Sequence, residues 1–317
     1  MRVLVTGGAG FIGSNLTHAL ITGGHQVGVI DDLSTGSPQN IHPHAWSRTL
    51  DILDSGFSAL VAEFAPDAVV HLAAQASVSV SLQDPERDWA VNAEGTRVVA
   101  QAAREAGAKR MVSASSAAVY GEPLASDLPL SETAPKAPAN PYGKSKLAAE
   151  GLLAAVLAGS GVDHASFRFS NVYGPRQDGA GEGGVVAIFC TRMQAGQSPV
   201  VFGTGAQTRD FIYVGDVVAA IISALLSESP LAGEGPDGAA FNISTGEEAS
   251  VEALLLALRQ ASGYLGGVDY EPAREGDVDR SSLDPGKAAR VVKKVALAVL
   301  CNPSCHSCSD SCCKFLL

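Results

Sequence analysis

The sequence predicts an α/β fold: a doubly wound parallel sheet with a smaller α/β lobe interleaved with it. Three observations lead there. Short β-rich runs alternate with helical runs through the first half of the chain. A glycine triplet stands at the first strand-to-helix turn. The pattern then changes near residue 175, where shorter elements begin.

In order, "RVLVT" (2–6) reads as a strand and "FIGSNLTHALIT" (11–22) has helical apolar spacing. "QVGVI" (26–30) is the next strand, "APDAVVHLA" (65–73) contains another, and "KRMVSAS" (109–115) is another. The longest helical stretch is "DWAVNAEGTRVVAQAAREAG" (88–107). Alternation at this spacing implies a parallel sheet covered on both faces. From about 175 comes a glycine-rich loop, "GPRQDGAGEGG", and then the runs "VVAIFCTRMQAG", "PVVFG", "RDFIYVGDVVAAIISALLS", "AAFNIST" and "VEALLLALRQASG". We expect a first domain over 1–174 that also takes in segments near 210–245, a second lobe mainly over 175–290, and an atypical tail over 291–317.

The chain has 317 residues, of which 46% are hydrophobic and 17% charged, so it can bury a large core. A formal net charge of -11 argues against nucleic acid or an anionic membrane as the main partner. Met1-Arg2 runs directly into "VLVTGG", which predicts no signal peptide, and no apolar run reaches the length of a membrane helix. Before the tail there is a single cysteine, Cys190, so the body needs no disulfide and suits a reducing cytoplasm.

"VTGGAGFIG" (5–13) places Gly7, Gly10 and Gly13 between a strand and a helix. Gly7 permits the sharp turn, Gly10 lets backbone approach a pyrophosphate, and Gly13 lets helix and strand pack closely. An acid follows at the end of the second strand, in "VGVIDDLSTG". Asp31 is placed to accept hydrogen bonds from an adenosine ribose, and its charge would repel the extra phosphate of NADP, so NAD is favoured. Together these features define a Rossmann-type domain. Asp51 and Ile52 in "TLDIL" follow the next strand and could flank the adenine.

"NPYGKSKLAAE" (140–150) puts Tyr142 and Lys146 four residues apart, on one helix face. A free tyrosine is a poor base at neutral pH, and a nearby ammonium, with the positive nicotinamide ring, is expected to favour its phenolate. "VSASSAAVYG" (112–121) leaves a strand end carrying a run of hydroxyls. Ligands of open α/β sheets bind outside such ends, so Ser116 is a candidate to bond the reacting oxygen, while Ser113 and Ser115 read as structural.

The ordered motifs "TGGAGFIGSNL", "HLAAQASVSVS", "SSAAVYG", "YGKSK", "FRFSNVYGPRQ", "TRDFIYVGDVV", "FNISTG" and "PAREGD" resemble the extended short-chain dehydrogenases, and within them the NAD-dependent nucleotide-sugar epimerase/dehydratase family. The resemblance covers roughly residues 1–290. It implies a UDP-sugar 4-epimerase interconverting UDP-glucose and UDP-galactose. Tyr142 would remove the proton from the sugar 4-hydroxyl with Ser116 sharing that hydrogen bond. Hydride would pass from C4 to NAD and return to the opposite face of a 4-keto sugar, and Lys146 would hold the nicotinamide ribose. Carried over by motif, Phe11, Ile12, Asp32, Leu72, Ala73, Ala74, Gln75, Asn92, Ser115 and Phe169 join the cofactor set. Asn171, Arg209 and Arg274 would contact the nucleotide diphosphate, and Asp277 the uridine ribose. Val201 and Phe202 join the substrate set. A guanidinium fork matches a diphosphate, which gives the arginines their reason. The resemblance also implies a homodimer through the long helices near 88–107 and 142–158.

Within the family, dehydratases place an acid directly after the position of Ser116. Here Ala117 and Ala118 follow, and neither can transfer a proton, so epimerisation is favoured over loss of water. Ser281 matches the position that gates space beside the sugar 2-substituent. Its small side chain leaves room for N-acetyl sugars as well. Another nucleotide-sugar epimerase, such as one acting on a uronate, and a sugar dehydratase stay as alternatives. Outside catalysis, the alternative is an NAD-binding scaffold, and retention of Ser116, Tyr142, Lys146 and the arginines argues against it.

In relatives a closing helix follows a segment like "DPGKAARV". Here the chain ends "CNPSCHSCSDSCCKFLL", with five of its six cysteines. Cys301, Cys305, Cys308 and Cys312 with His306 have spacings like zinc ligands, and a disulfide cluster is the second reading. A replaced terminus is the third, and it is favoured because the departure from the family pattern is abrupt. No metal site is assigned.

Overall fold

Alternation along each central strand sets the architecture. The structure, a computed structural model, describes residues 1–179, 184–235, 237–273 and 278–291. Its first half contains β1 (Arg2–Thr6), α1 (Phe11–Thr22), β2 (Gln26–Asp31), β3 (Trp46–Thr49), α2 (Phe57–Phe64), β4 (Ala68–His71), α3 (Val78–Gln83), α4 (Pro85–Trp89), α5 (Gly95–Glu105), β5 (Arg110–Ser116), α6 (Pro141–Leu157) and β6 (Asp163–Phe169). The second contains β7 (Asn171–Tyr173), α7 (Val185–Gln194), β8 (Val200–Phe202), β9 (Thr208–Arg209), β10 (Phe211–Tyr213), α8 (Val214–Leu226), β11 (Ala240–Ile243), β12 (Ala249–Ser250), α9 (Val251–Ser262), β13 (Asp269–Glu271) and α10 (Gly286–Val291).

Seven strands form one sheet in the order β11-β6-β5-β4-β1-β2-β3, and every pairing in it is parallel. The order reverses between β1 and β4, which opens a crevice at their carboxyl ends, the place where doubly wound folds take ligands. One face presents Val3, Val5, Val70, Val112, Ala165, Phe167 and Phe241 to α1 and α8. The other presents Leu4, Ile30, Val69 and Met111 to α2, α5 and α6. Strands apolar on both faces belong to sheets covered on both sides.

On that second face the β5 side of the sheet turns polar near its carboxyl end. Ser115, Arg168 and Asn242 stand in register on adjacent strands, and all three are buried. Buried polar groups need partners, and α6 supplies Glu150 to Ser115 and Arg168.

The chain leaves the main sheet after β6 and returns to it as β11. The remaining strands make three small pairs, β10-β7, β12-β9 and β13-β8. With α7 and α9 they enclose a separate apolar cluster that includes Phe189, Met193, Val201, Leu254 and Leu258. The smaller lobe thus has its own core while sharing strand connections with the larger one. The cysteine tail falls outside the described residues, as do Arg274 and Asp277.

Candidate active site

The turn after β1 is built on glycine. Gly7 has φ +71°, and a Cβ there would lie 2.5 Å from the Ala73 amide nitrogen. A Cβ on Gly13 would fall 2.1 Å from the Gly7 carbonyl oxygen, so only glycine lets α1 seat against the turn. No side chain caps α1 at Gly10. The first-turn amides of Phe11, Ile12 and Gly13 have no intrahelical partner by construction, which leaves a positive helix end for an anion. The side chains of Phe11 and Ile12 pack on the core below.

Asp31, at the end of β2, is 7% exposed and faces this turn. Its carboxylate accepts from the Ala9 amide at 2.9 Å and the Leu33 amide at 2.8 Å. Burial pushes its carboxyl above the usual range, and those two amides work against that shift. Asp32 instead turns to Ser34, accepting from its amide and its hydroxyl. Asp51 accepts from the Leu53 amide at 2.9 Å, closing its own turn. Ile52 is buried, and a Cβ on Gly95 would come within 2.5 Å of its Cδ1. Leu72, Ala73 and Ala74 are half-buried along the segment that packs on Gly7. An uncapped helix end, a glycine cradle and a carboxylate at the neighbouring strand end fit a dinucleotide, whose ribose Asp31 would hold and whose phosphates residues 10–13 would meet.

Across the crevice, α6 begins with Asn140, whose side chain accepts from the Gly143 amide at 2.9 Å, and with Pro141 at the first helical position. This start fixes Tyr142 in the first turn, with Lys146 one turn further. Ser116 ends β5 and accepts from the Ala118 amide at 3.2 Å. The Ser116 hydroxyl acts on the Tyr142 phenol and favours its ionised form. A Cβ on Gly143 would lie 2.4 Å from the Ala118 carbonyl oxygen, so glycine lets the helix close onto the serine turn.

Lys146 is 6% exposed and its Nζ donates to the Ala114 carbonyl at 3.1 Å, 6.0 Å from the Tyr142 ring centroid. Burial brings its ammonium down to about 8, against the raising influence of Asp88 and Glu150. The expected lowering of the tyrosine rests on Lys146 together with a nicotinamide ring. Among the protein's own groups burial dominates and pushes the Tyr142 phenol above its ordinary value; Ser116 opposes this, and Asp88 adds to it.

Asn92 sits in a π-helical turn, Ala90–Glu94, that joins α4 to α5. Such turns recur at functional sites because the widened ring re-aims a side chain. Asn92 Nδ2 donates to the Gln75 carbonyl, Asp88 Oδ1 and Ser145 Oγ at 3.0, 3.1 and 3.1 Å. Its Oδ1 accepts from the Gln75 amide at 3.0 Å. Ser145 Oγ donates to Asp88 Oδ2 at 2.5 Å, with the Tyr142 carbonyl as the alternative acceptor of the same proton at 3.0 Å. The network ties α6 to the segment after β4. Asp88 and Ser145 escaped the sequence reading because a helical acid and a helical serine look like surface residues. On the far side, buried His71 bridges Thr6 and Thr96 at 2.7 and 3.1 Å. Burial, with Lys146 adding to it, brings His71 down to about 3, so the imidazole is neutral.

In the second lobe, Asn171 is exposed at the start of β7, and Arg209 is half-buried on β9. Asp210 follows Arg209, is fully buried, and its carbonyl accepts from the Asn171 amide at 2.9 Å. It accepts from Ser170 Oγ at 3.2 Å, from the Thr245 amide and hydroxyl at 2.9 and 2.8 Å, and from the Gly246 amide at 2.9 Å. It is a missed residue that orders this part of the site. Phe202 is half-buried, whereas the Val201 side chain belongs to the lobe's apolar core. Phe169 likewise packs into the core of the main sheet, and the Ser115 hydroxyl turns to Glu150 at 2.5 Å. Ser281 is half-buried next to Arg280, which forks onto Glu248 at 2.7 and 2.9 Å. Among the described residues, no group of three His, Cys, Asp or Glu could hold a metal ion.

Glycine turn, ribose-side carboxylate and the Ser-Tyr-Lys set at the strand ends define a short-chain dehydrogenase-type, dinucleotide-dependent site. The chain belongs to the NAD dependent epimerase/dehydratase family, which it matches over residues 3–244. It is 43% identical to a UDP-glucose 4-epimerase of Mycolicibacterium smegmatis, over 94% of this chain and 95% of that one. Its structure is similar to the UDP-glucose 4-epimerase of Thermus thermophilus in complex with NAD, with TM-score 0.86 and 38% identity over 95% and 96% of the two chains. It is also similar to the Thermotoga maritima UDP-glucose 4-epimerase with UDP-glucose, with TM-score 0.84 and 38% identity over 92% of each chain.

Proposed function

We propose that the protein is an NAD-dependent nucleotide-sugar 4-epimerase that interconverts UDP-glucose and UDP-galactose. The observation that carries this is the Ser116–Tyr142 pair followed by Ala117 and Ala118. The pair can hold and move one proton at a sugar hydroxyl, while the two alanines offer no acid to expel a second oxygen.

Bound NAD would take a hydride from sugar C4 and return it, and its oxidised ring would add a positive charge favouring the phenolate. The chain's own residues do the rest. Tyr142 Oη accepts the 4-hydroxyl proton while Ser116 orients that hydroxyl, and the same proton returns when the opposite epimer forms. Lys146 lies deep enough to hold the nicotinamide ribose. Asn171 and Arg209, on β7 and β9 of the second lobe, take the diphosphate, with Arg274 and Asp277 completing the nucleotide site.

Ser281 leaves space for an N-acetyl group, so both the plain and the N-acetyl sugars are substrates in this reading. No helix among the described residues is long and apolar enough to cross a membrane, and a body with one cysteine suits the cytoplasm. Val78, Val80, Leu82 and Trp89 expose apolar surface on α3 and α4, beside α6. A second copy of the chain covers this surface in a homodimer, which light scattering checks.

The test is incubation with UDP-galactose and detection of UDP-glucose. Tyr142→Phe should remove conversion while NAD stays bound. No conversion by the unaltered chain refutes the reading.

A further inference from the structure

Three successive residues at the end of β5 are gripped by three residues spaced one turn apart on α6. Ala114 offers its carbonyl to Lys146 Nζ at 3.1 Å. Ser115 donates its hydroxyl to Glu150 Oε1 at 2.5 Å. Ser116, the last of the three, acts on the Tyr142 phenol and favours its ionised form. Residues 142, 146 and 150 share one helix face because each is four from the next.

Glu150 is itself fixed. Arg168, on the strand beside β5 and in register with Ser115, forks onto it with Nε to Oε1 at 2.9 Å and Nη2 to Oε2 at 2.7 Å. Arg168 is 1% exposed, and its remaining donors go to Tyr120 Oη, the Glu132 carbonyl and Asp237 Oδ1 at 2.9, 3.0 and 2.9 Å. A bidentate pair of this kind is directional as well as strong. The carboxylate therefore has little freedom, and neither has the hydroxyl it accepts from.

We propose that Glu150 is a positioning residue which, anchored by Arg168, holds Ser115 and thereby sets the register of Ser116 against Tyr142. Neither Glu150 nor Ser115 touches the reacting atoms in this role. Their hydrogen bond acts as the fixed end of a short lever: one residue of strand separates it from Ser116, and two helical turns separate it from Tyr142. Small misplacements of a reacting pair cost large factors in rate. This inference rests on the epimerase reading for its kinetic test, and it has a structural test that does not.

Ser115→Ala removes the hydroxyl and leaves the Glu150–Arg168 pair intact. Its kcat for UDP-galactose should fall about tenfold or more, with KM changed less than about twofold and NAD retained. Ser115→Thr, which keeps the hydroxyl, should recover most of the loss. Glu150→Gln, which weakens the acceptor and the grip of Arg168, should lower kcat in the same way. In crystal structures of the parent and of Ser115→Ala, the Ser116 Oγ to Tyr142 Oη separation should differ by about 0.5 Å or more, the tolerance of a productive site. A separation unchanged from the parent's overturns the inference, whatever the substrate. So does a kcat within twofold of the parent in both Ser115→Ala and Glu150→Gln, or a loss that Ser115→Thr does not recover.

Discussion

Gly143 and Ala118 are in closer contact than any side chain at 143 would allow. A Cβ at 143 would stand 2.4 Å from the Ala118 carbonyl oxygen, and 2.9 Å from Pro138 Cβ. The contact seats the start of α6 on the turn that follows Ser116. Gly143→Ala must therefore push Tyr142 away from Ser116. We expect kcat to fall at least about tenfold, and stability to drop by about 1–3 kcal/mol, the usual cost of overpacking. Steady-state kinetics and thermal melts check both; a variant with the parent's kcat would show that the contact does not govern the pair.

His71 gives the protein a pH dependence of stability. Its folded value of about 3 lies below the ordinary 6.5, because burial and Lys146 disfavour the charged ring. Between those values the unfolded chain binds a proton that the folded chain refuses. Stability is therefore full above about 6.5 and falls as pH drops toward 3, by up to about 1.4 kcal/mol per pH unit from this group. His71→Gln cannot take up that proton. Denaturant unfolding at pH 7 and pH 5 should show a smaller loss for the variant than for the parent, and equal losses would refute the assignment.

Asp210 joins the smaller lobe to the main sheet through the backbone amides of Thr245, Gly246 and Leu283. Asp210→Asn replaces an acceptor with an amide that must face some of those donors. We expect a loss of about 1–3 kcal/mol from the unsatisfied groups. Because Asn171 and Arg209 flank it, KM for the UDP-sugar should rise more than kcat falls. A variant whose KM is unchanged would separate Asp210 from the nucleotide site.

Ser281 lies on a segment held at both ends. Arg280 forks onto Glu248, and beyond it Leu130 donates its amide to the Ser282 carbonyl at 3.0 Å while Leu283 bridges Leu130. A larger residue at 281 has no room to swing aside with its backbone. Ser281→Tyr should lower kcat/KM for UDP-N-acetylglucosamine at least about tenfold relative to UDP-glucose, since steric fit of this kind discriminates on that scale. Equal effects on the two sugars would remove Ser281 as a gate.

The parts legible in the sequence were those with local signatures. Gly7, Gly10 and Gly13 announce a turn because each meets a distinct backbone demand, and Tyr142 and Lys146 share a face by spacing alone. The helix over 11–22 has its observed bounds, Phe11–Thr22. What escaped depends on long-range register. The π-turn under Asn92 adds one residue to a helical ring and leaves no compositional trace. Asp88, Ser145, Glu150 and Arg168 sit in segments where charge and hydroxyls usually mean solvent; only the sheet brings Arg168 beside Ser115 and turns both inward. The upward push that burial gives Tyr142 is hidden for the same reason, since the sequence reveals its neighbour in the helix but not its depth.

The route of the chain through β11 has an evolutionary and practical consequence. Residues 240–243 complete the main sheet beside β6, and Asn242 Nδ2 reaches the Leu130 carbonyl at 2.8 Å, yet the small lobe lies on both sides of them in sequence. A lobe with a different sugar preference cannot be transplanted as one cassette. Any graft needs junctions before β11 and again after it, with the Asn242 contacts rebuilt at both. New specificity in this scaffold is more accessible through single positions lining the cleft than through recombination of whole segments.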